Sequence, residues 1–308
     1  MQDPAFSAPG QFFKGNLHTH SNVSDGALTP DEVCAAYKSN GYDFLALTDH
    51  FVGPYEYPIT DTVDFRDGKF TTILGAELHS GAMENGEIWH ILAVGLPPDF
   101  APSNSPSFIP SNEQETGPEI AKRAYESGAF VAIAHPEWSG MTMQDARSIS
   151  HAHAVEIYNH GCEVECDRGR GFYVLDQLLS EGKRLNLCAT DDAHFHVRDH
   201  FGGWVMVNAE SNTPEALLKA LKLGHHYSST GPEIKNIIWD ENHVQVECSP
   251  AENIVVLGVG SRSASSNGNR LTKVEINTQV LSHSPWLRLV VTDENGKSAW
   301  SNPVYRNS

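Results

Sequence analysis

Residues 29–50 read TPDEVCAAYKSNGYDFLALTDH, and the fold turns on this stretch. Thr29 and Pro30 make a helix start, Glu32 lies three residues after the cap, and Gly41 supplies the stop. A short apolar run, Phe44 to Leu47, follows and ends on the polar residues Asp49 and His50. The phrase recurs three more times, as GPEIAKRAYESGAFVAIAHPEW (117–138), GFYVLDQLLSEGKRLNLCATDDAH (171–194) and TPEALLKALKLGHHYSSTGPE (213–233). Each is a helix, a glycine stop, an apolar strand and a polar tip.

Buried strands alternating with helices predict a parallel sheet covered on both faces. Further strand candidates lie between the units: TTILGAEL (71–78), IWHILAVGL (88–96), AHAVEIYN (152–159) and GWVMVN (203–208). The resulting strand count suits a closed β/α barrel, with an open doubly wound sheet as the alternative. After Gly231 the texture changes to short alternating strands such as HVQVECS (243–249) and WLRLVVTDENGKSAW (286–300), the latter with an Asn295–Gly296 hairpin signal. The expected division is residues 1–231 as the barrel and 232–308 as a small antiparallel β-sandwich.

The chain has 308 residues and a formal charge of −18, from 21 basic against 39 acidic residues. That balance argues against nucleic-acid or anionic-membrane surfaces, which need basic patches. No apolar run approaches the roughly 20 residues that span a bilayer, and the start MQDPAFSAPGQFF shows no signal-peptide pattern. Five scattered cysteines do not read as a disulfide framework, so a cytoplasmic location with reduced thiols is expected.

Residues 15–26, GNLHTHSNVSDG, place His18 and His20 two apart, on one face of an extended segment, with Asp25 close behind. Imidazoles and carboxylates bind zinc, manganese and iron, though His-x-His alone also suits a polar strand end. His50, His90, His135 and His194 each lie at or near a candidate strand end, as do Glu77 and Asp192. Six such groups at one barrel edge need partners, and a cation supplies them. Ligands at strand C-terminal ends are where such barrels place their active sites.

These phrases resemble the polymerase and histidinol phosphatase (PHP) family. The resemblance rests on LHTHSNVSDG (17–26), LALTDH (45–50), GAEL (75–78), WHILAVGL (89–96), AHPEW (134–138), VEIYN (155–159) and TDDAH (190–194), in family order. The ending, HYSSTGPEI (226–234) and SAWSNPVY (298–305), resembles the carbaryl-hydrolase-like metallohydrolase subgroup. The resemblance implies a distorted seven-stranded TIM-like barrel holding two or three divalent metals (zinc, manganese or iron). It assigns His18, His20, Glu77 and Asp192 to the first metal, and His90 and His135, with Glu77 bridging, to the second. Asp25, His50 and His194 fall to the third. His79 is the competitor of His90, and Asp191 is set aside because the Asp-x-His spacing selects Asp192. Asp49 reads as an acid orienting a ligand or as a strand-end cap. Glu156 and Asn159 read as cleft-lining or structural. His196, Arg198 and His200 read as substrate contacts or as a solvated loop.

The function expected is hydrolysis of a phosphate mono- or diester in a small molecule by a metal-bridging hydroxide. Glu77, Asp49, His196 and Arg198 are its candidate catalytic residues. A carboxylic or carbamate ester hydrolase using the same centre is the alternative, and a non-catalytic metal-binding scaffold is the third reading. Lys14 and Arg198 are the few basic residues near the motifs, so recognition of a phosphate falls mainly to metal charge.

Overall fold

The computed structural model describes residues 3–111 and 115–306. Along the chain come α1 (Pro4–Ser7), β1 (Gln11–Asn16), α2 (Pro30–Ser39), β2 (Phe44–Leu47), β3 (His50–Phe51), β4 (Thr71–Ala82) and β5 (Ile88–Val94). Then follow α3 (Gly117–Glu126), β6 (Phe130–Ile133), α4 (Met143–Ser148), β7 (Ala154–Asn159), α5 (His160–Cys166), α6 (Phe172–Ser180) and β8 (Asn186–Thr190). β9 (Trp204–Ala209), α7 (Pro214–Lys222) and β10 (His226–Ser229) come next. The rest is strand and turn: β11 (Ile234–Trp239), β12 (His243–Leu257), β13 (Ser263–Asn277), β14 (Trp286–Thr292), β15 (Ser298–Ser301) and β16 (Val304–Tyr305).

The helix signals act as their chemistry dictates. The Glu32 carboxylate accepts the Thr29 amide at 2.9 Å, and Glu119 accepts the Thr116 amide at 2.8 Å, each satisfying an amide at a helix start. Gly41, at φ +75°, adopts a left-handed conformation that few other residues tolerate. Val33, Cys34 and Tyr37 of α2 then pack on Leu45 and Leu47 of β2.

Pairing follows the order β1, β2, β4, β5, β6, β7, β8, but the sheet is mixed rather than parallel. β1–β2, β2–β4, β6–β7 and β7–β8 are parallel, whereas β5 is antiparallel to both β4 and β6. The reason is connection length. Only residues 83–87 separate β4 from β5, enough for a hairpin and too few for a crossover helix.

The closed barrel expected from the sequence is also corrected: the hydrogen-bonded path stays open. β1 pairs on its outer side with β9, antiparallel, and the chain beyond β1 meets the chain beyond β8 through an isolated bridge, Thr19 to Ala193. Side chains cover the remaining edge of β8. Ser228 Oγ accepts the Ala189 amide at 3.0 Å, Asn302 Oδ1 accepts the Leu187 amide at 2.9 Å, and His226 Nε2 donates to Leu187 O at 3.0 Å. A covered edge has no need of a closing strand.

The strands after Gly231 are antiparallel, and they continue the same sheet through β15–β10–β9–β1. Trp286 and Trp300 join the core that holds Ile157, Leu175 and Leu178. Arg288, almost fully buried, makes two hydrogen bonds to Asp176 of α6 at 2.9 and 2.8 Å. The hairpin between β14 and β15 has a longer loop than a two-residue turn: Asp293 N donates to Lys297 O at 2.9 Å, with residues 294–296 between them and Gly296 at φ +74°. Among the described residues no helix is long and apolar enough to cross a membrane.

Candidate metal centre

The segment after β1 is held so that alternate side chains diverge. Thr19 turns outward, its amide donating to Thr48 Oγ1 at 3.1 Å and its hydroxyl to Ala193 O at 3.1 Å. His18 and His20 turn inward and are fully buried. There they meet Asp192, whose Oδ1 lies 3.1 Å from His18 Nε2 and 2.9 Å from His20 Nε2.

Glu77 of β4 stands at the centre. Its Oε1 is 2.7 Å from His90 Nδ1, 2.9 Å from His135 Nε2 and 3.7 Å from His18 Nε2. Its Oε2 is 2.6 Å from His50 Nδ1 and 3.7 Å from His20 Nε2. Towards solvent, Asp25 reaches His50 Nε2 at 3.3 Å and His194 Nε2 at 3.4 Å. Side chains far apart in sequence thus converge as donor groups: His18–Glu77–His135, His18–His20–Asp192 and His20–Asp25–His50–His194.

The strand reversal corrects how His90 arrives. It lies near the start of β5, opposite His79 of β4, so the N-terminal end of an antiparallel strand brings it to the mouth. His79 is fully buried, with Nε2 2.8 Å from His50 Nδ1, and it forms a further donor group with His50 and Glu77. Both His79 and His90 approach Glu77, at 3.6 and 2.7 Å, but of the two only His79 falls within a donor group among the described residues.

Neighbouring residues hold the donors in place. Glu156 Oε1 lies 3.0 Å from His18 Nδ1, and its Oε2 accepts the His135 amide at 2.7 Å, which leaves His18 Nε2 facing the cluster. Asn159 donates to Glu156 and to Asp192, each at 3.0 Å. Both residues are buried and orient donors rather than line the cleft. Asp191 faces away, accepting the amides of Phe201, Gly202 and Gly203 at 2.9, 2.8 and 2.9 Å and the Tyr37 hydroxyl at 2.7 Å. His135 and Asp192 have positive φ, 21° and 55°, in a region that costs a side-chain-bearing residue about 1–3 kcal/mol.

The electrostatics show what the cluster calls for. Burial pushes Glu77 up, yet His90, His50, His18 and His79 outweigh it and hold the carboxyl well below its usual range. Burial lowers His50 and His194, but Glu77 and Asp25 beside the first, and Asp25 and Asp192 beside the second, raise them to about 10 and about 9. His20 is lowered to about 4, by burial and by its neighbours His50 and His194. Without a cation, protons on histidine supply the positive charge that three carboxylates demand. His18 Nε2 and Glu77 Oε2 are buried beside Asp192 Oδ1 and His50 Nδ1, at 3.1 and 2.6 Å, yet neither makes a well-aligned hydrogen bond. Buried polar atoms of this kind are costly, and a divalent ion between them satisfies both. The donor set fits such an ion.

Other candidate residues take different places. Asp49 accepts from the Ser21 amide at 2.7 Å, from Ser24 Oγ at 2.9 Å and from Thr60 Oγ1 at 2.5 Å, so it shapes the loop that carries Asp25. His196 lines the cleft, with Nε2 2.8 Å from Asp25 O. Arg198 is exposed and absent from the cleft lining, and His200 stacks on Phe195. Lys14 lies over the rings of Tyr42 and Trp204, away from the cleft, at 4.0 and 4.1 Å. The open cavity above the cluster has a volume of about 570 Å³, and no lysine or arginine is among its described lining residues. Trp138 and Phe108, absent from the sequence-derived candidates, are part of that lining.

A two-domain protein of Bacteroides vulgatus containing a predicted PHP-like metal-dependent phosphoesterase superposes with a TM-score of 0.52, at 16% identity over 99% of each chain. An amidohydrolase of Chromobacterium violaceum covers 58% of this chain and 87% of its own, at 15% identity and a TM-score of 0.44. An uncharacterized protein of Methanocaldococcus jannaschii is 23% identical over 234 residues, 72% of this chain and 94% of its own. The PHP domain model matches residues 16–169, half of the chain, within which lie His18, His20, Asp25, His50, Glu77, His90 and His135. The chain belongs to the PHP domain family.

Proposed function

We propose that this protein is a metal-dependent phosphoesterase acting on a small-molecule phosphate mono- or diester. The observation that carries the reading is the convergence on Glu77, in the lining of an open cleft, of imidazoles from separate strands and the turns that follow them. His18, His20, Glu77 and Asp192 would hold one divalent ion, Glu77, His90 and His135 a second, and Asp25, His50 and His194 a third. Zinc, manganese and iron suit these donors. Bound there, such ions supply Lewis acidity and lower the pKa of water towards neutrality.

The protein's own groups do the rest. Glu156 and Asn159 fix the orientation of His18 and Asp192, and Asp49 sets the loop that presents Asp25. His196, in the cleft lining, would serve a leaving-group oxygen; Arg198, outside that lining, would not. Residues 1–231 form the metallohydrolase unit and 232–308 a companion whose contacts through Arg288 and Trp300 brace α6. Five unpaired cysteines suit a reducing, cytoplasmic setting.

The deciding experiment combines elemental analysis of the purified protein with turnover of nitrophenyl phosphate monoesters, diesters, carboxylic esters and carbamates. Metal with phosphate-ester turnover, both abolished in the His18→Ala, His20→Ala double variant, supports the reading. The cleft's lack of cationic side chains favours, as a second reading, a carboxylic or carbamate ester hydrolase with the same centre. Turnover confined to carbonyl esters selects it, and metal without any hydrolysis selects a scaffold.

A further inference from the structure

We infer that the cleft selects esters whose alcohol part carries a flat ring without negative charge, received by the Trp138 and Phe108 rings that line it and favoured by Glu87 and Glu165. The inference rests on the phosphoesterase reading and names the substrate class of that site.

The two rings stand directly on the donor imidazoles. Trp138 meets His90 and His135 edge-on, with centroids 5.2 and 4.9 Å away at 69° and 77°. Phe108 meets His50 and His79 in the same manner, at 5.3 and 5.1 Å and at 86° and 70°. They come from different connections, Trp138 from the turn after β6 and Phe108 from the long segment between β5 and α3. Both line the cleft, yet they remain 43% and 36% exposed. Large rings left uncovered forfeit stabilisation of roughly 25 cal/mol per Å² of apolar surface. A ligand ring entering beside them recovers it, together with the geometric preference of aromatic pairs.

Charge narrows the class further. The lining contains Asp25, Glu77, Asp192, Glu87 and Glu165 and, among the described residues, no lysine or arginine. The first three belong to the donor groups, where divalent ions would offset them. Glu87 and Glu165 are exposed, stand outside those groups and have no cationic partner among the described residues. They repel a second anionic group on the substrate and attract an ammonium, an effect that added salt weakens.

The test uses metal-loaded protein and phosphonates, which bind without being cleaved. Calorimetry compares butylphosphonate, 2-phenylethylphosphonate and the latter's 4-aminomethyl and 4-carboxy derivatives. The ring is expected to tighten binding about tenfold over butyl. The aminomethyl form should bind at least as tightly as the parent and the carboxy form about tenfold more weakly. Trp138→Ala and Phe108→Ala should each bring the phenylethyl-to-butyl ratio towards one. The Glu87→Gln, Glu165→Gln double variant should erase the preference for ammonium over carboxylate. Elemental analysis of each variant should show unchanged metal content, because these side chains are exposed and outside the donor groups. Equal affinity for butyl and phenylethyl ligands, or tight binding of the carboxy form, overturns the inference. The matching phosphate monoesters are assayed in parallel. Ring preference in binding with no phosphate turnover removes the phosphoesterase reading and leaves the ring selectivity standing.

Discussion

The donor cluster has two halves that differ in how they are built. The inner half, His18, Glu77, His135 and Asp192, is buried and anchored to strands or to the turns directly after them. The outer half turns on Asp25, whose side chain is 40% exposed and sits on a loop shaped by Asp49. Buried donors whose orientation is over-determined by Glu156 and Asn159 lose little freedom on taking up an ion. A loop carboxylate must be ordered first, at a conformational cost. The inner half is therefore expected to hold its metal tightly and the outer half to exchange.

The strongest way to break this contrast is Glu77→Gln, which removes the carboxylate shared by the inner donors. It should eliminate inner-site metal by elemental analysis and reduce kcat by more than the roughly 100-fold that marks the loss of a supporting residue. Retained metal would show that Glu77 is not the hub. Glu156→Gln keeps the shape but weakens the hold on His18 Nδ1. It should lower inner-site affinity by about 10–100-fold in a chelator competition, and no change would deny Glu156 its orienting role. Asp25→Asn should remove the exchangeable ion alone and leave inner occupancy intact. Loss of all metal together would mean the halves are one cooperative site.

The smallest expected effect is a shift in the pH dependence of melting. His50 and His194 have folded values raised to about 10 and about 9 from an ordinary 6.5. Such groups contribute stability that is fully present below pH 6.5 and is lost as pH rises through those folded values. Chelator-treated protein should thus lose several degrees of Tm between about pH 7 and 10, beyond any loss in metal-loaded protein, whose ions replace the protons. Parallel curves would show that the outer histidines carry no such charge.

Much of the donor set is legible in the sequence, because each residue follows an apolar run or a strand-spaced motif. His18 and His20 share a face through period-two geometry alone, and Thr19 turns away as that geometry requires. Asp192 was separable from Asp191 only through the family resemblance, and the amide cradle around Asp191 shows the physical difference. Arg198 illustrates the opposite case. A basic residue near a motif looked useful, but proximity in sequence says nothing about which side of a loop reaches the cleft. Phe108 left no signal, and Trp138 entered only as the last residue of the AHPEW phrase, since single apolar residues in loops have no periodicity to betray a place in the cleft wall.

From residue order alone come the helix–glycine–strand units, the alternation at the His-x-His segment and the chemical kind of the site, all local consequences of caps, period and side-chain type. The reversal of β5, the open edge of the sheet, the meeting of β15 with β10 and the position of the aromatic rim were decided by tertiary structure. They depend on which edges find partners and which side chains cover the rest, and those outcomes are set by packing between segments distant in the chain.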